Sequence, residues 1–444
     1  MSAIDRSVYD IFTITSNDGS KTVDISGGVT VFSYFENVFS PMITARVFLS
    51  TTGNVIEDKD GELTSIYNGL PLRGGEKVNI KIPGNSDGNI DLEFTEENGN
   101  EFYVSSITNV LLKAETETFV LNLVSREAIT NETARVGKKF PVSQPISDSV
   151  KDIIKNYLLS EKEIAIDATQ NPYGFIGNLK KPFTLCTWLA SKSVPTEVAG
   201  QSSTAGYFFF ETKEGYNYRS IDALIAAEPF EQEYTFSPGI VDNLDPMKDF
   251  RFIDFSTERN QKLLENLERG LFCSYRMYYN PTDSTFTTPE QGVFKVSDYA
   301  DKMENLGSDF KIELPPVDKS GESLGDVPSR YMTGVLDFGT LERKETRARK
   351  ENADPMQYHS QAMMRFNSLF THSVIATIPL NTNLSAGSLI KANLAKITTD
   401  KNKVKDEEQS GLYMIKELTH YYDTNGSFTK LRLIRDTMGQ KEKW

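Results

Sequence analysis

Hydrophobic and polar residues alternate along two separate parts of the chain, residues 8–125 and residues 371–436. Within the first part, 29–35 and 43–49 are rich in β-branched and aromatic side chains, and Pro41 lies between them. Alternation with this composition predicts β-strands, and a proline is excluded from the middle of a sheet. The two ends of the chain are therefore predicted to be β-rich.

The middle of the chain has a helical period instead. Apolar residues recur at i, i+3, i+4, i+7 and i+8 over 150–158, which predicts an amphipathic helix with Ser147 or Ser149 as its N-cap. Further helices are predicted to start at Pro182, to run from Thr257 to Gly270, and to cover 341–352 and 354–370. Strands are predicted at 206–211, 216–220 and 273–279, and 280–330 is expected to be irregular.

One β-pattern occurs twice. Residues 72–82 read L-x-x-G-x-x-V-x-I-x-I, and residues 384–394 read L-x-x-G-x-x-I-x-A-x-L. The two strands that follow also match, at a spacing of about 310 residues, which is far longer than a solenoid period. Any two hairpins agree at alternate positions, but three strands in register favour a duplicated β-module.

The charge of the chain limits its partners. The 444 residues carry a formal net charge of −14, which argues against sequence-specific nucleic-acid binding and against attachment to an anionic membrane. An acidic wall would suit a conduit for nucleic acid, although solubility alone accounts for most such charges. The first residues contain no apolar leader, and we expect assembly in a cytoplasm.

Residues with catalytic or metal-binding chemistry are scattered. The three histidines, His359, His372 and His420, lack metal-ligand spacing, and Cys186 and Cys273 are expected to be buried free thiols. The stretch 74–77 resembles a phosphate loop but opens a strand instead of a helix. We therefore expect no cofactor, no metal and no enzymatic activity. A pair of carboxylates that hydrolyses cell-wall glycans stays open as an alternative.

Several segments, in order, resemble one known family. They are 136–140 with the helix at 150–159, 183–189, the hairpin 206–224 with its G-Y-x-Y-x-S-I-x-x-L ending, 378–387, and 410–420. Together they are similar to the central baseplate hub protein of contractile-tailed bacteriophages, which is related to the hub part of type VI secretion spike proteins. The resemblance spans most of the chain and is loosest over 280–350.

The resemblance and the repeat together imply an α+β fold with two duplicated antiparallel β-barrel (tail-tube-like) domains, joined and interrupted by α/β segments. The expected parts are a first barrel at 1–124, a linking domain at 125–205, a second barrel from 206–250 with 365–440, a second linking part at 251–364, and a tail at 441–444. The strands expected to form the ring are represented by Val78, Ile80, Ile82, Leu121, Leu123, Ile390, Leu394, Leu431 and Leu433.

The implied function is structural. The resemblance implies a homotrimer whose paired barrels form a pseudo-sixfold ring, adapting a sixfold tail tube to a threefold cell-puncturing spike. Its expected partners are further copies of itself, the spike protein, a tail-tube or tube-initiator protein, and the surrounding baseplate wedge proteins, all within a virion tail. A hub of a secretion or injection device is the alternative, followed by a tail-associated cell-wall hydrolase.

Overall fold

A computed structural model describes most of the chain. The described residues are 3–52, 56–57, 61–70, 72–86, 88–113, 115–196, 204–236, 250–259, 262–308, 321–339, 341, 351–396 and 405–440. The predicted tail at 441–444 and residues 342–350 of the predicted helix at 341–352 lie outside these ranges.

The strands of the described residues are numbered in chain order. In the first 200 residues they are β1 Ile11–Thr15, β2 Thr22–Asp24, β3 Val29–Asn37, β4 Thr44–Thr52, β5 Ile56–Glu57, β6 Leu63–Thr64, β7 Lys77–Ile82, β8 Leu92–Phe94, β9 Phe102–Leu112, β10 Thr116–Ser125, β11 Lys139–Phe140, β12 Ile164–Ile166 and β13 Phe175–Ile176. Those that follow are β14 Tyr207–Thr212, β15 Gly215–Ser220, β16 Glu233–Phe236, β17 Asp254–Arg259, β18 Cys273–Asn280, β19 Thr285–Phe286, β20 Val293–Lys295, β21 Arg330–Val335, β22 His372–Pro379, β23 Leu389–Leu394, β24 Gly411–Asp423 and β25 Ser427–Arg435.

The helices of the described residues lie mainly between the two β-rich ends. They are α1 Ile66–Gly69, α2 Arg126–Thr133, α3 Ile146–Asn156, α4 Pro182–Ala190, α5 Ile221–Ala226, α6 Leu263–Glu268, α7 Pro289–Gly292 and α8 His359–Ser368. The helix predicted at Pro182 begins there, because a proline at the first helical position gives up no helical hydrogen bond.

One large sheet joins the two ends of the chain. Its path runs β17-β22-β25-β24-β3-β4-β10-β9-β7-β1-β2, with β8 beside β7 and β23 between β24 and β16. Every pair from β17 to β9 along this path is antiparallel. The pairing of β3 with β24 makes the first and second β-rich ends one continuous sheet.

The two ends pair their strands in the same order. In the first, β7 pairs with β9 and β9 with β10; in the second, β23 pairs with β24 and β24 with β25. Each long hairpin has a bulge at the matching position, with Ser105 the extra residue in β9 and Lys416 the extra residue in β24. No sheet closes into a barrel within the described residues, so the predicted barrels are not found as closed structures.

Smaller sheets complete the fold. A three-stranded sheet has the order β12-β15-β14, and a four-stranded sheet has β18 at its centre with β19, β20 and β21 paired to it. The hairpin of β14 and β15, placed by the predicted boundaries in the second barrel, pairs with β12. Conversely β17, placed in the linking part 251–364, pairs with β22 of the second β-rich end. On these pairings we propose that the β14–β15 hairpin belongs to the linking domain and β17 to the second β-rich end.

Each part has its own apolar core. One core fills the first β-rich end around Phe12, Phe32 and Val47, and another fills the second around Val374, Ile390 and Leu433. A third lies under α3, α4 and the β14–β15 hairpin. Cys186 and Cys273 are buried free thiols, as predicted.

Two local predictions are wrong. The segment from Thr257 begins in β17 and not in a helix, because 254–259 completes a ladder with β22; the helix starts only at Leu263. The helix predicted over 150–158 is present as α3, but its predicted serine N-cap is wrong, because the helix starts at Ile146 with Pro145 as its N-cap residue. Ser147 does not cap it, since the Ser147 hydroxyl accepts a hydrogen bond from the Thr169 N–H at 3.3 Å.

Candidate assembly surface

The large sheet presents one face away from the cores of the two β-rich ends, here called the open face. Other cores cover one margin of it, at Val124, Met414 and Ile434. It consists of the outward side chains of the eight antiparallel strands from β17 to β9. One row across it runs Thr377, Lys430, Thr419, Phe35, Thr44, Val124 and Tyr103. Because strand side chains alternate, this face belongs to both ends of the chain at once.

Polar contacts tie neighbouring strands together on the open face. The Arg46 guanidinium donates to the side-chain Oδ1 of Asn122 at 3.1 Å, and the side-chain Nδ2 of Asn122 donates to the Ser106 hydroxyl at 3.0 Å. The Lys430 ammonium lies 4.4 Å from the centre of the Tyr421 ring. Such cross-strand pairs each add a few tenths of a kcal/mol and hold the face in shape.

The charge of the open face does not follow the charge of the chain. Arg46, Lys430 and Arg432 are its cations, while Glu417 pairs with Arg432 at 3.5 Å. Asp254 and Glu258 add acidic groups at the β17 margin, and Asp423 adds one at the end of β24. The acidic residues of the chain are therefore not concentrated on this face. The eight strands do not form a strongly acidic wall for a conduit.

Both ends of the eight-strand path have free edges within the described residues. β7 reaches β9 only at Phe102 and Tyr103, so the stretch 106–112 of β9 has β10 on one side and no described strand on the other. β17 likewise has β22 on one side only. Exposed Leu111 and Leu112 lie at the β9 edge, where a free monomer would be prone to association.

The nine residues predicted to mark ring-forming strands all lie in β7, β10, β23 and β25. Their side chains are buried within the protomer, each at most 4% exposed. Those of the first β-rich end belong to its core, and those of the second to its own core. The strands remain candidates for ring formation, but these side chains cannot themselves touch another copy.

A buried carboxylate holds three parts of the fold together. Glu36 of β3 accepts hydrogen bonds from the Tyr34 hydroxyl at 2.7 Å, the Lys213 N–H at 2.9 Å and the Ala386 N–H at 2.7 Å. Lys213 belongs to the β14–β15 turn and Ala386 precedes β23. Burial raises the pKa of Glu36, and these donors oppose that shift.

Two further buried ionic groups were not identified from the sequence. Arg365 of α8 reaches Asp222 of α5 at 2.7 Å and Asp436, just after β25, at 3.4 Å. Lys162 lies 3.0 Å from Glu127 and 2.6 Å from Glu211. No sequence motif marks these charges, because their partners are far apart along the chain.

His420 lies at the seam between the two β-rich ends. It is fully buried, stacks on Tyr34 of β3 with ring centres 6.0 Å apart, and its Nδ1 is 3.0 Å from the Thr429 hydroxyl. Burial lowers the pKa of His420 well below 6.5, and Lys213 adds to that shift. The equivalent position predicted by the repeat, Asn109, is exposed and has a positive φ of 54°. A structural role for His420 therefore fits better than a catalytic one.

We expect His420 to make stability depend on pH. Because its folded-state pKa is depressed, its contribution is present above pH 6.5 and is lost as the pH falls, by up to about 1.4 kcal/mol per pH unit. Urea unfolding at pH 7, 6 and 5 should show this loss in the wild type and a smaller loss in His420→Gln. Equal pH slopes in the two proteins would contradict the assignment.

Two features are absent from the described residues, a metal-binding cluster and a membrane-spanning helix. No group of three or more His, Cys, Asp or Glu side chains is placed to share a metal ion. No described helix is long and apolar enough to cross a membrane.

Comparison with known proteins defines the class of the fold. No family model matches the chain, and no curated protein matches its sequence. Among solved structures it is similar to the tail protein from Neisseria meningitidis MC58, with a TM-score of 0.51 at 10% identity over 96% of this chain and 97% of that one. It is also similar to the prophage MuSo2 43 kDa tail protein from Shewanella oneidensis, with a TM-score of 0.51 at 9% identity over 96% and 99%.

The chain therefore has the fold of phage tail proteins over almost its whole length. The expected resemblance is confirmed at the level of the fold.

Proposed function

We propose that this protein is a non-enzymatic structural component of a phage tail baseplate, the central hub, and that it assembles as a homotrimeric ring. The observation that carries the proposal is the single sheet that spans two equivalently paired ends of the chain. Its fold, which it shares with phage tail proteins, supports the same class of function.

The duplicated pairing supports a pseudo-sixfold ring. Each protomer contributes two β-modules with the same strand order and the same bulge, so three protomers supply six similar units. Closed cyclic symmetry is the rule for soluble homo-oligomers. A ring of this kind would adapt a sixfold tube to a threefold spike.

The free edges offer a way to close that ring. β9 and β17 lie at opposite ends of eight successive antiparallel strands, so they run in opposite directions. Pairing the β9 edge of one copy with the β17 edge of the next continues the antiparallel pattern without interruption. In this arrangement the open faces of the copies line a common channel, and each free edge gains the partner that it lacks.

The further partners follow from this role. One rim of the ring would contact the tail tube or its initiator, the other the spike protein, and the outside the baseplate wedge proteins. The location is the virion tail, after assembly in the host cytoplasm. The proposal requires no cofactor, no sequence-specific nucleic-acid contact and no membrane anchor.

Disulfide trapping tests the edge pairing. Thr108 on β9 is replaced by cysteine together with one cysteine at Asp254, Ser256 or Glu258 on β17, because one protomer does not fix the register between copies. Neighbouring strands bring cysteines within disulfide range. Under oxidation, at least one pair should yield covalent trimers, and Thr108→Cys alone should not. Failure of all three pairs in a preparation that is trimeric by mass would contradict the pairing.

A further inference from the structure

The four-stranded sheet around β18 has an aromatic face that no described element covers, with one ion pair, Lys295 and Asp326, at its β20 margin. Successive side chains of β18 point to opposite faces of the sheet, and the inward ones contact the rest of the protomer. The Ser274 hydroxyl is 3.0 Å from the Ser360 hydroxyl of α8, and the Arg276 guanidinium donates to the Met356 carbonyl oxygen at 3.0 Å. The Tyr278 hydroxyl is 2.7 Å from His359 Nδ1. The opposite side of the sheet therefore points away from α8.

The outward side chains form one continuous patch, here called the aromatic face. It is made of Tyr275, Met277, Tyr279, Phe286, Tyr331 and Val335. Strand register places Tyr331 beside Tyr275, with ring centres 5.8 Å apart, and Phe286 beside Tyr279, with ring centres 5.0 Å apart. Val335 lies on the other side of Tyr279.

Three side chains of the aromatic face are more exposed to solvent than is usual for aromatic and aliphatic residues. Tyr331 is 70% exposed, Val335 69% and Phe286 57%. Taking a full aromatic side chain as roughly 150–250 Å², the six residues expose about 500 Å² of mainly apolar surface. That is near the upper end of what a monomer shows and about two thirds of one side of a standard protein interface, roughly 800 Å².

We infer that the aromatic face is a contact between copies of this chain, which rests on the proposed trimer and adds to it a second interface apart from the strand edges. Tyrosine, phenylalanine and methionine without charge are the composition of interface centres, above all in homo-oligomers. Two chains of net charge −14 repel each other over most of their surfaces, and a face of no net charge is where they approach at least cost.

The place of the face in the fold also favours another copy as its occupant. The two β-rich ends are equivalent and would supply sixfold contacts, whereas the described residues contain one sheet of this kind per protomer. In a cyclic trimer the contact is heterologous, so the aromatic face of one copy would meet a different surface of the next copy. β21 also has a free edge within the described residues, which burial against a neighbour would protect.

The test measures assembly of the full chain by mass photometry and light scattering over a dilution series. The double variant Tyr331→Asp with Val335→Asp places two charges on the β21 side of the face, at two of its most exposed residues. We expect it to raise the concentration at which half the chains are trimeric by roughly a hundredfold or more. The matched control is Leu264→Asp on α6, whose side chain is 82% exposed outside the face and whose substitution should leave that concentration unchanged.

The outcomes separate this inference from the proposed function. A folded double variant that dissociates like the wild type overturns the inference and leaves the edge-paired trimer standing. A wild type that is monomeric at every concentration overturns both. If the double variant does not unfold cooperatively, Phe286→Asp on the exposed β19 hairpin gives the same readout and decides the question.

Discussion

The Arg365→Met variant is expected to lose about 4 kcal/mol of unfolding free energy, because removing one member of a buried ion pair leaves the others uncompensated. Arg365 is 1% exposed at its side chain, and Asp222 and Asp436 are fully buried. The guanidinium also donates to the Glu304 carbonyl oxygen at 2.8 Å. Methionine keeps much of the volume but leaves two carboxylates without their cation.

Denaturant unfolding of wild type and variant measures this loss. Arg432→Met is the matched control, since Arg432 pairs with Glu417 at 3.5 Å with both side chains more than a third exposed. An exposed pair contributes about 0–1 kcal/mol. Equal losses in the two variants would show that Arg365 does not join α8, α5 and the end of β25 as described.

The Lys162→Met variant is expected to lose a comparable amount at pH 8, about 3–5 kcal/mol, and to recover stability as the pH is lowered. Lys162 is 6% exposed at its side chain and is the cation between Glu127 and Glu211, both fully buried. Burial already raises the pKa of Glu211 in the wild type, against the effect of Lys162. Without the lysine, that pKa rises further.

The sign of the pH effect follows from this shift. A carboxyl whose folded-state pKa is raised contributes stability that is fully present below its unfolded pKa of 4.5 and lost as the pH rises through the folded value. The deficit of Lys162→Met should therefore be largest at pH 8 and clearly smaller at pH 5.5. Lys138→Met, which removes a more exposed partner of Asp152, should show a small deficit at both pH values. A deficit for Lys162→Met that does not change with pH would contradict the account.

The sequence predicted those elements whose local signals agree with their surroundings. Pro182 marks the start of α4, and the strand alternation over 206–220 gives β14 and β15. It failed at Thr257, where pairing with β22 overrides a weak helical preference. It failed also at Ser147, whose hydroxyl is used by Thr169 across the linking region and not by the helix end.

The assembly surfaces were harder to predict, because alternation identifies two strand faces without saying which one is buried. The nine residues chosen for the ring, such as Val78 and Ile390, are the inward ones. The open face consists of outward side chains on the large sheet. The aromatic face lies on strands within 273–335, and the sequence pattern predicted 280–330 of this stretch to be irregular. Arg365 and Lys162 carry no local signal, since only the fold brings their partners together.

The duplicated pattern was the most informative signal in the chain. It matched three strands of one end with three of the other, and in the structure these strands, β7, β9 and β10 and then β23, β24 and β25, pair in the same order. It did not anticipate that β3 would pair with β24 and merge both ends into one sheet. That pairing is long-range and depends on side-chain packing at the seam, which a repeat does not encode.

The central claim is that this chain forms a trimeric ring, and the solution mass of the purified protein tests it most directly. Light scattering on a dilution series, followed by cryo-microscopy of the same sample, should give three times 49.9 kDa and ring-shaped particles with a central channel. A single-chain mass that persists up to high protein concentration would contradict the ring and, with it, both proposed interfaces.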